Sequence, residues 1–318
     1  MKILITGISG FVGSNLNNRW NKRYAIYGLD IFQNAQEGVL LTFSWDEIEK
    51  LPQVDTIVHL AGKAHDTKNQ SLLKEYFEIN TGLTQKIFDY FLQSNANTFI
   101  FFSSVKAAAD SVNGDMLTEE VIPSPVGPYG VSKIKAEEYI FDKLSTISSR
   151  QSDKRVYILR PCMIHGPGNK GNLNLLYSVV KKGIPWPLGA YQSRRSFCSI
   201  DNISYVVEQL IVRNNIESGV YNVCDDEPLS TNELIRLISE SVGKKTCILN
   251  LPKGLIRSIA SLGSLLDLPL NKERLIKLTE NYVVSNTKIK RALGIEKMPV
   301  TSQEGIRKTL ASFRNGSK

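Results

Sequence analysis

Tyr129 and Lys133 stand four residues apart in the stretch PYGVSKIKAEEY, a spacing that puts two side chains on one face of a helix. A tyrosine with an ordinary pKa of about 10 is a poor base at neutral pH. A cation about 4 Å away, in an effective dielectric of about 20, favours the phenolate by up to ~4 kcal/mol. Lys133 is thus the group that would make Tyr129 an acid and a base, although such a pair is also common on any helix surface. A hydroxyl partner comes from FIFFSSVKAAAD, where an apolar run ends in Ser103 and Ser104, the latter 25 residues before Tyr129. Together these groups could hydrogen-bond a substrate oxygen and move a proton on or off it.

The opening stretch KILITGISGFVGSNL supplies a second chemistry. Gly7, Gly10 and Gly13 form GxxGxxG between an apolar run and an amphipathic continuation. One glycine permits the tight turn, one lets a pyrophosphate approach the backbone, and one lets helix pack on strand; the helix N-terminus, with Phe11 and Val12 in its first turn, then faces the phosphates. An ordinary strand–turn–helix corner has the same look. The second apolar run ends at Asp30, twenty residues after Gly10, where a carboxylate accepts both ribose hydroxyls of NAD and repels the extra phosphate of NADP. No arginine follows immediately, so NAD is favoured; the alternative for Asp30 is a plain surface turn residue.

The elements that must position these groups alternate. Short apolar runs at 2–6, 25–29, 56–60, 99–102 and 156–159 are separated by helical stretches such as 72–93 and 129–144, which is the βαβ rhythm of an α/β, Rossmann-type doubly wound parallel sheet. In such a sheet ligands bind at the carboxyl edge, where Ser104 falls. After Pro161 the rhythm gives way to loop-rich stretches, HGPGNKGN and KKGIPWPLGAYQSRR. The expected division is therefore a dinucleotide-binding domain over 1–161 and a smaller α/β substrate lobe over 162–318, with later strands able to return to the first sheet.

Composition narrows the classes. The 318 residues are 42% hydrophobic and 22% charged, enough for a large core. The four cysteines, Cys162, Cys198, Cys224 and Cys247, lie far apart with no CxxC pair, so neither a metal site nor a disulfide framework is expected. The formal net charge of +8 is scattered rather than clustered, which speaks against nucleic acid and suits a phosphate-bearing small molecule. Without a long apolar run or a signal-like start, a cytoplasmic protein is expected.

The glycine turn, Asp30, HLAGKAH from His59, Asn80 in INTGLT, and the Ser104, Tyr129, Lys133 set closely resemble the extended short-chain dehydrogenase/reductase superfamily, specifically the NAD-dependent epimerase/dehydratase proteins acting on nucleotide sugars. The resemblance runs nearly end to end. It implies that Gly7, Gly10 and Gly13 bind the cofactor diphosphate, that Asp30 holds the adenosine ribose, and that Leu60, Ala61 and Asn80 line the cofactor. His59 would sit beside it too, or else serve as a satisfied core histidine. It further implies that Ser104 hydrogen-bonds the sugar oxygen, that Tyr129 exchanges a proton with it, and that Lys133 holds the nicotinamide ribose and tunes the tyrosine. In the second lobe RPCMIHGPGNKGN carries His165 where the family usually has tyrosine, and Asn172 falls where it contacts the nucleotide diphosphate. SRRSFCSIDNI places Arg195 on a phosphate, with Ser196 and Asn202 in place of two aspartates, and Arg274 is a second candidate for that diphosphate or a bare surface arginine.

Dehydratases of the family carry Asp-Glu directly after the catalytic hydroxyl residue, whereas Val105 and Lys106 stand here. Two enzymatic readings remain: an epimerase at carbon 4 of a UDP-hexose or UDP-N-acetylhexosamine with retained NAD, and an NAD(P)H-dependent reductase of a UDP-4-keto sugar, both fitting bacterial polysaccharide synthesis. A non-enzymatic NAD-binding regulator is the reading from another class; such relatives usually lose the Tyr or Lys kept here. Helices 72–93 and 129–144 resemble those that join subunits in the family, so a homodimer is expected. LPKGLIRSIASLGSLLDLPL is amphipathic, either a core-facing helix or a membrane or partner contact, with no stable membrane insertion expected.

Overall fold

Seven β-branched and aromatic runs form one parallel sheet. They are β1 (Lys2–Thr6), β2 (Ala25–Leu29), β3 (Val39–Phe43), β4 (Thr56–His59), β5 (Thr98–Phe102), β6 (Arg155–Pro161) and β10 (Gly219–Val223), in the order β10-β6-β5-β4-β1-β2-β3. The computed structural model describes residues 1–64, 73–146, 153–169, 171–265 and 271–315. Chain reversal at β1 and β4 makes the sheet doubly wound, and its central strands β4 and β5 are buried at every position. That burial explains the apolar residues at their centres, Ile57 and Val58 in β4 and Phe99 to Phe102 in β5, which must fit helices on both faces.

Alternation along β1 assigns those faces. Ile3 and Ile5 join the core built with α1 (Phe11–Trp20), α7 (Ile200–Val212) and α11 (Thr287–Leu293), while Leu4 joins the core built with α3 (Leu83–Gln93) and α5 (Pro128–Ser145). The second half of the chain therefore returns to the sheet through β10, α7 and α11. Its remaining elements make a smaller layer: α6 (Asn172–Lys181), α8 (Thr231–Ser241) and α12 (Ser302–Asn315) pack around the pairs β7 (Met163–His165) with β9 (Phe197–Ser199) and β8 (Arg194–Arg195) with β11 (Leu229–Ser230).

Two departures from the sequence reading have local causes. The stretch 72–93 is not one helix: α2 (Leu73–Tyr76) and α3 flank a π-helical turn, Phe77–Gly82, and Leu72 lies outside the described residues. The π turn carries Asn80, fully buried, whose amide is held by Lys63 and Ser132 rather than by solvent. β3 escapes the pattern because it is an edge strand whose Leu40 and Leu41 are exposed. Among the described side chains of α9 (Lys253–Leu265), next to α10 (Lys272–Thr279), Ile256 and Ala260 are buried while Leu255, Ile259 and Leu262 lie in solvent, so the helix is amphipathic as its sequence reads. No helix among the described residues is long and apolar enough to cross a membrane.

The turn from β1 into α1 sets the position of everything that follows. Gly7 has φ +69°, and a Cβ on Gly13 would stand 2.4 Å from the Gly7 carbonyl oxygen and 2.7 Å from Ile8 Cα. Only backbone can occupy that space. Gly13→Ala is accordingly expected to lower the unfolding free energy by about 1–3 kcal/mol, read by denaturant titration, with the glycine turn displaced and NAD affinity reduced in the same variant.

Candidate active site

The first part of the site is the glycine turn itself. Gly10 is the N-cap of α1, whose first turn carries neither a capping side chain nor an acidic residue, so its amides and dipole are turned to an anion. Phe11 and Val12 open the helix, and Val12 packs on the core beneath. Leu60 and Ala61 abut the turn: Leu60 N donates to Thr6 O at 3.2 Å, and Ala61 Cα and N limit the space above Gly7. Asp30, 7% exposed, accepts from Ser9 N at 2.8 Å and Ile31 N at 2.7 Å. Its carboxylate thus ties the glycine turn to the end of β2 and keeps lone pairs for a ribose. Backbone cradle, uncapped helix and carboxylate together fit a dinucleotide.

A chain of bonds behind the turn fixes the protonation of His59. Thr84 Oγ1 donates to Asn80 O at 2.6 Å and lies 2.9 Å from His59 Nε2; His59 Nδ1 lies 2.6 Å from Thr6 Oγ1, which accepts from Ala61 N. The directions close with the proton on Nε2 and Nδ1 as acceptor. Burial, with the charge of Lys133 second, drives the imidazole well below its usual range. His59 is therefore a neutral core histidine that holds the loop against the glycine turn, the second of the two roles open to it in sequence.

At the carboxyl end of β5, Ser104 caps the short α4 (Val105–Ala108), accepting from Lys106 N at 3.2 Å, and hydrogen-bonds Tyr129. Tyr129 lies in the first turn of α5, whose entry is pinned by Asp110 accepting from Val126 N and Gly127 N at 2.6 and 3.1 Å. Lys133 is 4% exposed; its Nζ donates to Phe102 O at 2.8 Å and lies over the Phe101 ring. Burial pushes it down to about 8, opposed by Glu137 one turn further on.

One expectation changes here. Tyr129 is not drawn toward phenolate by Lys133: burial raises its pKa, the Ser104 bond lowers it in part, and Tyr76 adds to the rise. The reason is geometric, since the amine is turned to the strand carbonyl.

In the smaller layer Asn172 is exposed at the first position of α6, after the N-cap Gly171. Its neighbour Leu173 shares a core with Phe197, two residues beyond Arg195, so both candidate phosphate ligands stand on one unit. Arg195 is ion-paired with Glu280 at 3.5 Å, and burial lowers its pKa against that pairing. The side chain of Arg274 lies outside the described residues. His165, Ser196 and Asn202 are used internally: His165 Nδ1 meets Thr309 Oγ1 at 2.9 Å, Ser196 Oγ accepts from Val284 N at 3.0 Å, and Asn202 bonds Asp225 and Val300.

Sequence reasoning passed over Thr6, Thr84 and Glu137, which touch named residues directly, and Arg160, which touches Glu137. The only available signal was the continuation of the Tyr129, Lys133 spacing by four to Glu137.

A dinucleotide cradle and a Ser-Tyr-Lys set at the carboxyl edge of a parallel sheet define a doubly wound NAD-dependent enzyme. The sequence model of the NAD dependent epimerase/dehydratase family matches residues 3–224, and the chain belongs to that family. It is 30% identical to the UDP-glucose 4-epimerase of Vibrio cholerae, covering 98% of this chain and 95% of that one. It is 27% identical to an N-acetyl-alpha-D-glucosaminyl-diphospho-ditrans,octacis-undecaprenol 4-epimerase of Escherichia coli O157:H7, covering 79% and 75%. The solved structure of MoeE5 in complex with UDP-glucose and NAD shares the fold over the full length of both chains, with a TM-score of 0.78 at 19% identity.

With its pKa held at about 8, Lys133 loses its charge as pH rises through that value. A lysine that donates to a cofactor ribose weakens as a donor when it deprotonates. NAD affinity followed by calorimetry from pH 6 to 10 is therefore expected to be flat on the acid side and to fall through about pH 8.

Proposed function

We propose that this chain is an NAD-retaining 4-epimerase of a UDP-hexose or UDP-N-acetylhexosamine, working in the cytoplasm on a precursor of surface polysaccharide. The observation that carries the reading is the set of buried Ser104 and Lys133 with half-buried Tyr129, and Val105 and Lys106 next in line after Ser104: acid–base machinery for one oxygen, without the carboxylic acid pair that elimination needs. Bound NAD supplies a hydride acceptor and donor for carbon 4. Ser104 hydrogen-bonds the 4-oxygen, and Tyr129 takes its proton and returns it. Burial favours the neutral phenol, and the Ser104 bond supplies the opposing pull. Lys133 holds the nicotinamide ribose, Asp30 the adenosine ribose, and Arg195 with Asn172 grips the diphosphate as a pivot. The 4-keto sugar would turn about that pivot to present its other face.

Tyr129→Phe is expected to lower turnover by roughly 10²–10⁴ with sugar-nucleotide binding little changed. Purified enzyme given a panel of UDP-sugars should interconvert one pair at carbon 4 with no added reductant. Stoichiometric consumption of NADH or NADPH by a UDP-4-keto sugar would instead establish the reductase, and full activity of Tyr129→Phe would remove the mechanism altogether. α3 and α5 are also proposed as a subunit interface, on the evidence of Phe141, which is 45% exposed on α5; light scattering at micromolar concentration should give the mass of a dimer, and a monomer would count against it.

A further inference from the structure

Three consecutive residues at the end of β5 are each held by a different residue of α5. Phe102 O accepts from Lys133 Nζ, Ser103 Oγ bonds Glu137 Oε1, and Ser104 bonds Tyr129. The three helix residues are spaced by four, so they form one stripe along α5. Glu137 is fully buried and Arg160, on the neighbouring strand β6, is 3% exposed. Arg160 Nε and Nη2 meet the two oxygens of the Glu137 carboxylate at 3.0 and 2.5 Å, a bidentate fork that fixes orientation as well as charge. No step of the reaction proposed above uses Glu137 or Arg160. A buried ion pair is also a poor device for stability alone, because the desolvation of two charges offsets most of their attraction.

We propose that Glu137, clamped by Arg160, is a positioning residue of the active site: it locks the end of β5 against α5 so that Ser104, Tyr129 and Lys133 are held in register. The inference rests on Tyr129 and Lys133 being the working pair. The titratable groups around Lys133 are Glu137 and Tyr129 on α5 and His59 on β4, with Arg160 of β6 behind Glu137 and Tyr76 of α2 beside Tyr129. Glu137 is the one carboxylate among them, and its charge acts to keep Lys133 an ammonium against burial.

Glu137→Gln keeps the size and a hydrogen-bonding group for Ser103 while deleting the charge. Two readouts test it, and neither needs a sugar, so a failure of the epimerase reading leaves both intact. In calorimetric titrations with NAD, the alkaline midpoint should move down by about one pH unit or more. In amide hydrogen exchange followed by mass spectrometry, residues 102–106 should exchange faster while β1 and β2 stay as in the wild type. Ser103→Ala, which breaks the strand-side bond and leaves the charge, should speed that exchange without moving the midpoint. A lower melting temperature with superimposable NAD profiles would make Glu137 a structural residue only and overturn the proposal. Should Glu137→Gln fail to fold, Glu137→Asp carries the test. It keeps the charge and draws it back from β5, so exchange at 102–106 must rise with the midpoint unmoved, and unchanged exchange overturns the proposal.

Discussion

Lys133 is an ammonium taken almost wholly out of water, and the cost of keeping it there organises the site around it. An isolated cation in such a place would neutralise rather than stay charged. Three contacts oppose that outcome: the Phe102 carbonyl, the face of the Phe101 ring at 4.9 Å, and the Glu137 carboxylate a turn away. Each comes from an element that must be in its place first. The carbonyl is free to accept because β5 ends there; the ring faces the amine because successive β5 side chains alternate; and Glu137 is positioned by the Arg160 fork from β6. Burial first, and the same charge second, depress His59 on β4. A neutral His59 in turn completes the bonds through Thr6 to Ala61 that shape the glycine turn.

The smaller layer is tied to this edge by the segment that follows α10. Tyr282 OH donates to Ala109 O at 2.7 Å, just past α4, while Tyr282 N donates to Arg194 O and Ser196 N donates to Tyr282 O. Leu117 N donates to Val283 O, and Ser285 N donates to Leu117 O. One short segment therefore bonds on one side to the loop that begins at Ser104 and on the other to the strand that carries Arg195. A substrate gripped at its diphosphate by Arg195 and worked at its 4-oxygen by Ser104 would span those two attachments, so their spacing bears on which sugar carbon reaches the tyrosine.

What the sequence disclosed was whatever depends on residues close together in the chain. The glycine triplet, Asp30 at the end of the second run, and the Tyr129 to Lys133 spacing each follow from one turn or one helix, and the bounds of β1 and β2 were read correctly for the same reason. The direction of the Lys133 amine was not legible, because Phe102 lies 31 residues earlier and meets it only once β5 and α5 are packed. Arg160 was visible as part of RPC, but its partner emerges only from the β5–β6 adjacency. Asn80 reads as a cofactor residue by resemblance, whereas its amide is occupied with Lys63 and Ser132, in a π turn that helical periodicity does not announce.

The pair after Ser104 shows how a catalytic set is restricted as well as built. Elimination of water from a sugar needs one group to take a proton from carbon and another to give one to the departing hydroxyl. Val105 has no such atom and is 4% exposed, packed into the core below α4. Lys106 extends the other way, its Nζ donating to Asp110 O at 2.7 Å and lying 4.3 Å from the centre of the Tyr282 ring. Held on that carbonyl and aromatic face, the amine is not free to serve as the second group. On the proposed reading, proton traffic is then confined to the single oxygen that Ser104 and Tyr129 would share, and chemistry limited to one alcohol and its ketone would leave the choice of face to the rotation of the bound sugar, and so to the grip on its diphosphate.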